Sequence, residues 1–331
     1  MFFYIIIFIF IIFLIYTNAL TDAPNAISTV VGTKALKFKE AAFISAIFNL
    51  LGIIVMSIFN FSIADFIFSM IDMSDKILGL YIIFSAILST IIFANIALLF
   101  GIPTSETHSL IAGITGGLLG CNKFSSVSSK EWLNIVIGLI VSIIGTYIIT
   151  KIIDFILRNL IKRKMKTSDK KKLQILSSSG VSFMHGAQDG QKFIGVIIAY
   201  QLLLQNRTLI QSPMAENYFW IIVLVSIVMF IGVATGGRKI VETLGNDITD
   251  LDDEDALISD FSTVVVLLFS SLNGIPISTS HVKTVSIIAS TDKNKKINFG
   301  KVADIFKAWI FTFPVCIFIS FICMKMLMFV L

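Results

Sequence analysis

The sequence predicts an all-α integral membrane protein of about ten transmembrane segments, built as two inverted-topology repeats with broken helices. Three observations carry this. Of the 331 residues, 56% are apolar and only 14% are charged, against about 25% charged in soluble proteins. Long apolar runs alternate with short polar breaks, and mean hydropathy is +0.91. One eight-residue motif occurs once in each half. This composition excludes a water-soluble enzyme, a secreted disulfide scaffold, a nucleic-acid binder and a disordered chain. The three cysteines, Cys121, Cys316 and Cys323, lack the count and the polar neighbours of a disulfide or zinc framework.

A spanning helix needs about 20 mostly apolar residues. Candidate segments lie at 2–33 (interrupted), 40–60, 77–100, 101–120, 131–157, 175–204 (interrupted), 218–236, 257–273, 274–290 and 302–331. The first has no basic leader and no small-residue cleavage site after it, so it is expected to be a retained helix. Segments 101–120 and 274–290 are short and rich in Gly and Ser, and either full crossings or re-entrant hairpins fit them.

If each segment crosses once, the loops at 34–39, 151–172, 238–239 and 293–301 share one side and hold 18 of the 26 Lys and Arg residues. The other side holds Lys76, Lys123, Lys130 and Arg207. Basic loops stay cytoplasmic, so both termini are expected outside a cell membrane, with loop 151–172 inside. That loop divides the chain into a first repeat (1–160), a basic linker (161–174) and a second repeat (175–331). Five crossings per half give the halves opposite orientation. The acidic run from Asp247 to Asp255 lacks calcium-loop spacing and reads as a solvated face.

Residues 101–108 read G-I-P-T-S-E-T-H and residues 274–281 read G-I-P-I-S-T-S-H. A weaker match pairs N-A-L-T-D-A-P-N (18–25) with H-G-A-Q-D-G-Q-K (185–192), aligned on Asp22 and Asp189. Such a two-fold repeat of odd-numbered halves marks a secondary transporter with its site where helices break. Pro24 is expected to break the first span, and Gly186 and Gly190 the matching one. Pro103 and Pro276 sit where a helix start tolerates proline.

Charge inside a bilayer costs roughly 2.5–3.5 kcal/mol on insertion scales, yet Asp22, Glu106, Asp189, Lys192 and Lys283 fall inside predicted spans. Hydroxyls at Thr104, Ser105, Thr107, Ser278, Thr279 and Ser280 cluster beside two helix starts, where freed N–H groups suit an oxyanion. The carboxylates would repel that anion unless Na+ or protons lie between them. His108 and His281 are expected to support the site from behind it or to ligate directly. No G-x-x-x-x-G-K-[ST] motif is present, which disfavours ATP-driven transport.

At these residues the chain resembles the inorganic phosphate transporter (Pit) family in its prokaryotic form. The carriers of the resemblance are A-L-T-D-A-P-N-A (19–26), G-A-Q-D-G-Q-K (186–192), I-P-T-S-E-T-H (102–108) and I-P-I-S-T-S-H (275–281). The resemblance implies a non-enzymatic, usually dimeric symporter of inorganic phosphate with Na+ or H+, or of a metal–phosphate complex. It implies no cofactor beyond the coupling ion, with the lipid bilayer, phosphate and the cation as partners and no nucleic acid. Asp22, Asn25 and Asp189, with Thr21 and Gln188 in the same motifs, would hold the cation (Na+ at Asp22 and Asp189). Thr104, Ser105, Thr107, Ser278, Thr279 and Ser280 would contact phosphate. His108, His281, Glu106, Gln191 and Lys192 would support them or balance charge.

Four positions depart from the family signature, Ala19, Thr21, Gln188 and Lys192, and Asn49 stands where animal members place Glu. The Lys192 ammonium is expected to replace one cation, to pair with Glu106 or Asp189, or to snorkel to the interface. Rival functions are a sulfate or other oxyanion permease, an anion channel with the same broken helices and, least favoured, a membrane-embedded metalloenzyme.

Overall fold

In the computed structural model, residues 2–59, 62–71, 75–205, 219–275 and 277–330 are described. Arg207 and Pro276, used above for topology and for a helix start, lie outside them. The described residues are helical, apart from turns and one isolated bridge, Thr249–Ile297. The first half contains α1 (Phe2–Thr21), α2 (Pro24–Gly32), α3 (Phe38–Phe59), α4 (Ser62–Ser69), α5 (Lys76–Phe100), α6 (Glu106–Gly120), α7 (Ser129–Ile140) and α8 (Thr146–Lys164). The second contains α9 (Thr167–Gln205), α10 (Phe219–Thr235), α11 (Arg238–Glu242), α12 (Asp253–Leu272), α13 (Thr279–Ser290) and α14 (Phe299–Val330). Among the described residues, six helical runs are long and apolar enough to cross a bilayer, and the pair 219–235 and 238–247, bent by 62°, makes a seventh. Exposed Ile and Phe side chains such as Ile5, Ile9 and Phe13 on α1 and Phe311, Phe318 and Ile322 on α14 form the surface expected against lipid.

The first break falls where the sequence places it. Pro24 has no N–H, and its ring clashes with the carbonyl four residues earlier. Residues 22–23 leave the helix, and the freed Leu20 carbonyl accepts from the Gly237 N–H at 2.9 Å. The second expected break does not occur. α9 is continuous for 39 residues through Gly186 and Gly190, because glycine weakens a helix by only about 1 kcal/mol relative to alanine. These glycines serve close packing instead. A Cβ on Gly186 would strike the Asn49 carbonyl of α3, one on Gly52 would strike the Phe183 carbonyl, and one on Gly190 would meet the Ile53 side chain. Gly52→Val and Gly186→Val are therefore each expected to cost several kcal/mol. Loss of monodisperse protein in detergent chromatography would show it. The segment 161–174, expected as a linker, is likewise helical except at Met165 and Lys166, since Lys, Arg and Leu are good helix formers.

The two copies of the repeated motif adopt the same local structure. α5 ends at Gly101 with φ 66°, and α12 is followed by Gly274 with φ 64°. Both lie in the left-handed region that only glycine enters cheaply. Residues 102–105 in the first copy and the described residues 275, 277 and 278 in the second are non-helical, and Ser105 caps α6 and Ser278 caps α13, accepting from the His108 and His281 N–H groups at 3.3 Å in both cases. α6 has 15 residues and α13 has 12, so at 1.5 Å per residue they reach about 22 and 18 Å. A bilayer core is about 30 Å thick. Neither helix crosses alone; each packs against the long helix before it as the short arm of a hairpin.

Packing between the halves is reciprocal. α1 packs on α10 while α9 packs on α3, and α14 packs on α5 and α6 while α8 packs on α12 and α13. The basic segments gather at one end of the molecule. There Arg158 bonds Asp154, Asp255 and Asp292, Lys295 bonds Asp252 and Asp255 at 2.7 Å, and Lys301 lies 3.2 Å from Asp247. The expected solvated face 247–255 is thus largely engaged in ion pairs. At the other end Lys76 bonds the Leu204 carbonyl at 2.8 Å and sits over the Tyr4 ring, and Lys325 lies 3.3 Å from Asn122.

Candidate functional site

The break in the first span exposes backbone and side chains of residues 18–25 to the N-terminal ends of the two hairpin arms. Asp22 lies at the break and is 3% exposed. Its carboxylate accepts from the Ser280 hydroxyl at 2.8 Å and from the Asn18 amide at 3.2 Å. The Asn25 amide donates to Ser280 Oγ at 2.7 Å and lies 3.5 Å from Asp22 Oδ1. Thr21 holds one oxygen of Glu106, the first residue of α6; the other oxygen is buried without a partner among the described residues. Residues far apart in sequence thus meet because α6 and α13 start at the same place.

α9 supplies the opposite wall. His185 and Asp189 are one helical turn apart, with Nε2 3.3 Å from Oδ2, and Lys192 Nζ lies 3.5 Å from the same carboxylate. Ligand atoms of Asp22, His185 and Asp189 all fall within 4.8 Å of one another. With the amide assigned as placed, Asn49 donates to His185 Nδ1 at 2.5 Å, so the ring proton sits on Nε2 and faces Asp189. With its Nε2–H turned toward Asp189, His185 offers no lone pair to a metal, and the oxygens of the carboxylates, amides and hydroxyls remain as ligands for a hard cation. Two buried carboxylates this close are strongly unfavourable unless positive charge lies between them.

His108 and His281 stand behind this cluster with ring centroids 5.0 Å apart, between Phe313 on one side and Trp309 on the other. Trp309 in turn donates to the Pro103 carbonyl at 3.1 Å, which pins the stretch before α6. Thr104, Thr107 and Thr279 are buried at the two helix starts, and Thr279 Oγ1 has no partner among the described residues. The first N–H groups of any helix lack an intrahelical partner, so the two starts offer donors to an oxyanion. Gln191 is buried with both amide atoms unpartnered among the described residues.

Gln188 is placed elsewhere. Its amide nitrogen reaches the Leu267 carbonyl and Ser271 Oγ at 3.1 Å, tying α9 to α12 rather than facing Asp22. Lys192 is 1% exposed and does not snorkel. Lys283 also leaves the central cluster, because it pairs with Asp260 of α12. Asp260 was not anticipated. Nor was His185, although its position four residues before Asp189 puts both on one helical face. With Lys283 engaged by Asp260, three carboxylates (Asp22, Glu106, Asp189) confront one ammonium (Lys192).

Comparison with known proteins gives a consistent picture. The sequence model described as the phosphate transporter family matches residues 18–172 and 170–320. The chain is 29% identical over 319 residues to a probable low-affinity inorganic phosphate transporter of Rhizobium meliloti (strain 1021), covering 94% of this chain and 92% of that one. It is 27% identical over 309 residues to a protein of the same description from Bacillus subtilis (strain 168), covering 91% and 90%. A solved structure titled the sodium-dependent phosphate transporter superposes with a TM-score of 0.81 over the full length of both chains at 24% identity, a likeness of fold.

Proposed function

The chain belongs to the phosphate transporter family, and from that premise we propose that it carries inorganic phosphate across a cell membrane by symport with cations. The observation that carries the proposal is the convergence of two helix N-termini, donors to an oxyanion, on the buried group Asp22, His185 and Asp189, whose ligand atoms lie within 4.8 Å of one another. Bound phosphate and the carboxylates repel each other, and cations between them relieve that repulsion. Asp22, Glu106 and Asp189, with Asn25 and Thr21, supply the negative charge and the oxygens of the cation site. Thr104, Ser105, Thr107, Ser278, Thr279 and Ser280 receive the phosphate, which must displace the Ser280–Asp22 hydrogen bond to use that hydroxyl.

The matched hairpins and the reciprocal packing support two repeats of opposite orientation with ten membrane segments, two of them the short hairpin arms. The gathering of basic segments at one end supports a cytoplasmic placement for that end and an outside placement for both termini. The dimer rests on the resemblance alone, and cross-linking in native membranes tests it.

Purified protein in proteoliposomes should accumulate labelled phosphate under an imposed Na+ or H+ gradient, with arsenate competing and sulfate not competing. Sulfate competition without arsenate competition would establish the sulfate permease instead, and uptake independent of both gradients would establish a channel.

A further inference from the structure

The two copies of the second repeat treat their carboxylates differently. Beside Asp22 the repeat places Asn25, a neutral amide, and the surrounding partners Asn18 and Ser280 are neutral as well. At the equivalent position beside Asp189 it places Lys192, whose ammonium lies 3.5 Å from the carboxylate. Lys192 is fully buried on α9 and lies 4.8 Å from the Phe193 ring centroid, and its Nζ has no hydrogen-bond partner among the described residues. Lysine is a compact point charge on a flexible stem, and here the stem ends inside the site. A buried ammonium with one ion pair and no hydrogen bond among the described residues is costly unless it does electrostatic work there.

We propose that Lys192 is a tethered cation: its ammonium occupies the positive position beside Asp189 that a mobile cation would otherwise fill, so each phosphate travels with one cation fewer. The mobile cations are then held by Asp22 and Glu106, whose hydrogen-bond partners Asn18, Asn25, Ser280 and Thr21 are neutral. The inference rests on the symport proposed above. It concerns how many cations are carried, so the two can fail separately.

The test is the cation-to-phosphate ratio, read from the reversal potential of phosphate flux in proteoliposomes under whichever gradient drives uptake. Lys192→Asn, which copies the first repeat, is expected to raise the ratio by one and to steepen the dependence of uptake on cation concentration. Lys192→Arg keeps the charge and is expected to keep the wild-type ratio. The double variant Asp189→Asn/Lys192→Asn removes both charges and is expected to return to that ratio. An unchanged ratio in folded Lys192→Asn overturns the inference, and so does a raised ratio in Lys192→Arg. Where Lys192→Asn does not fold, Lys192→Gln and Lys192→Met, which remove the charge and keep the length of the stem, carry the same expectation of a ratio raised by one, and an unchanged ratio in either overturns the inference. A wild-type protein that moves no phosphate would instead overturn the proposed function.

Discussion

Asp22→Asn is expected to raise the cation concentration for half-maximal phosphate uptake by about 10- to 100-fold while leaving the protein folded. The substitution is nearly isosteric, so packing at the helix break survives. The chemistry does not. A carboxylate accepts at both oxygens, whereas an amide must donate at one end. Ser280 presents a donor at 2.8 Å to one oxygen and Asn18 a donor at 3.2 Å to the other. With the amide oxygen turned to Asn18, the new NH2 faces Ser280, whose hydroxyl must reverse and accept instead of donating, and the negative charge that faces Asp189 across the site is gone. Hydrogen bonds to charged groups contribute about 1.5–3 kcal/mol, and each 1.4 kcal/mol is tenfold in affinity. Uptake measured against cation concentration, with detergent chromatography as the folding control, reports the change. An unaltered concentration dependence would remove Asp22 from the cation site. Gradient-independent flux in wild type and variant alike would point to a channel.

Much of this site is legible in the sequence because its most distinctive part is local. The motifs at 101–108 and 274–281 contain their own glycine turn, their own cap and their own histidine, and so the chain folds both copies alike wherever they lie. The break at Pro24 is legible for the same reason: a missing N–H acts on its own helix. What could not be read depends on partners distant in the chain. Gly186 and Gly190 look like helix breakers until α3 is seen pressed against them. Lys283 looks like a charge of the central site until Asp260, hidden beyond an acidic run, is seen to take it. His185 opens the motif at 185–192, yet its spacing from Asp189 signals a shared face only once α9 is known to be unbroken. The lengths of α6 and α13 were open because apolar composition alone does not say where a helix begins.

Breaking the Asp260–Lys283 pair is expected to produce the largest loss of stability. The pair is buried, and Thr29 Oγ1 donates to Asp260 at 2.7 Å while Ser177 Oγ donates to its other oxygen at 3.3 Å. Four elements meet there: α2, α9, α12 and α13. Removing one member of a buried pair leaves a charge without compensation, at a cost of about 3–5 kcal/mol. Lys283→Met leaves the Asp260 carboxylate with two hydroxyl donors, and Asp260→Asn leaves the ammonium with two neutral acceptors, the amide oxygen and Thr29 Oγ1 3.2 Å away, so each single variant buries an uncompensated charge. The double variant Asp260→Asn/Lys283→Met should be more stable than the sum of the two, because no charge remains. A double-mutant cycle on thermal unfolding in detergent measures this coupling, and strict additivity would deny it. The consequence reaches the transport site through the helices themselves. Lys283 follows Ser280 by one turn on α13, and Thr29 follows Asn25 by one turn on α2, so the pair fixes the two residues that meet at Asp22. Loosening it should weaken cation dependence in step with the loss of stability. A variant destabilised at this pair but unchanged in cation dependence would show that the pair anchors the fold without setting the site.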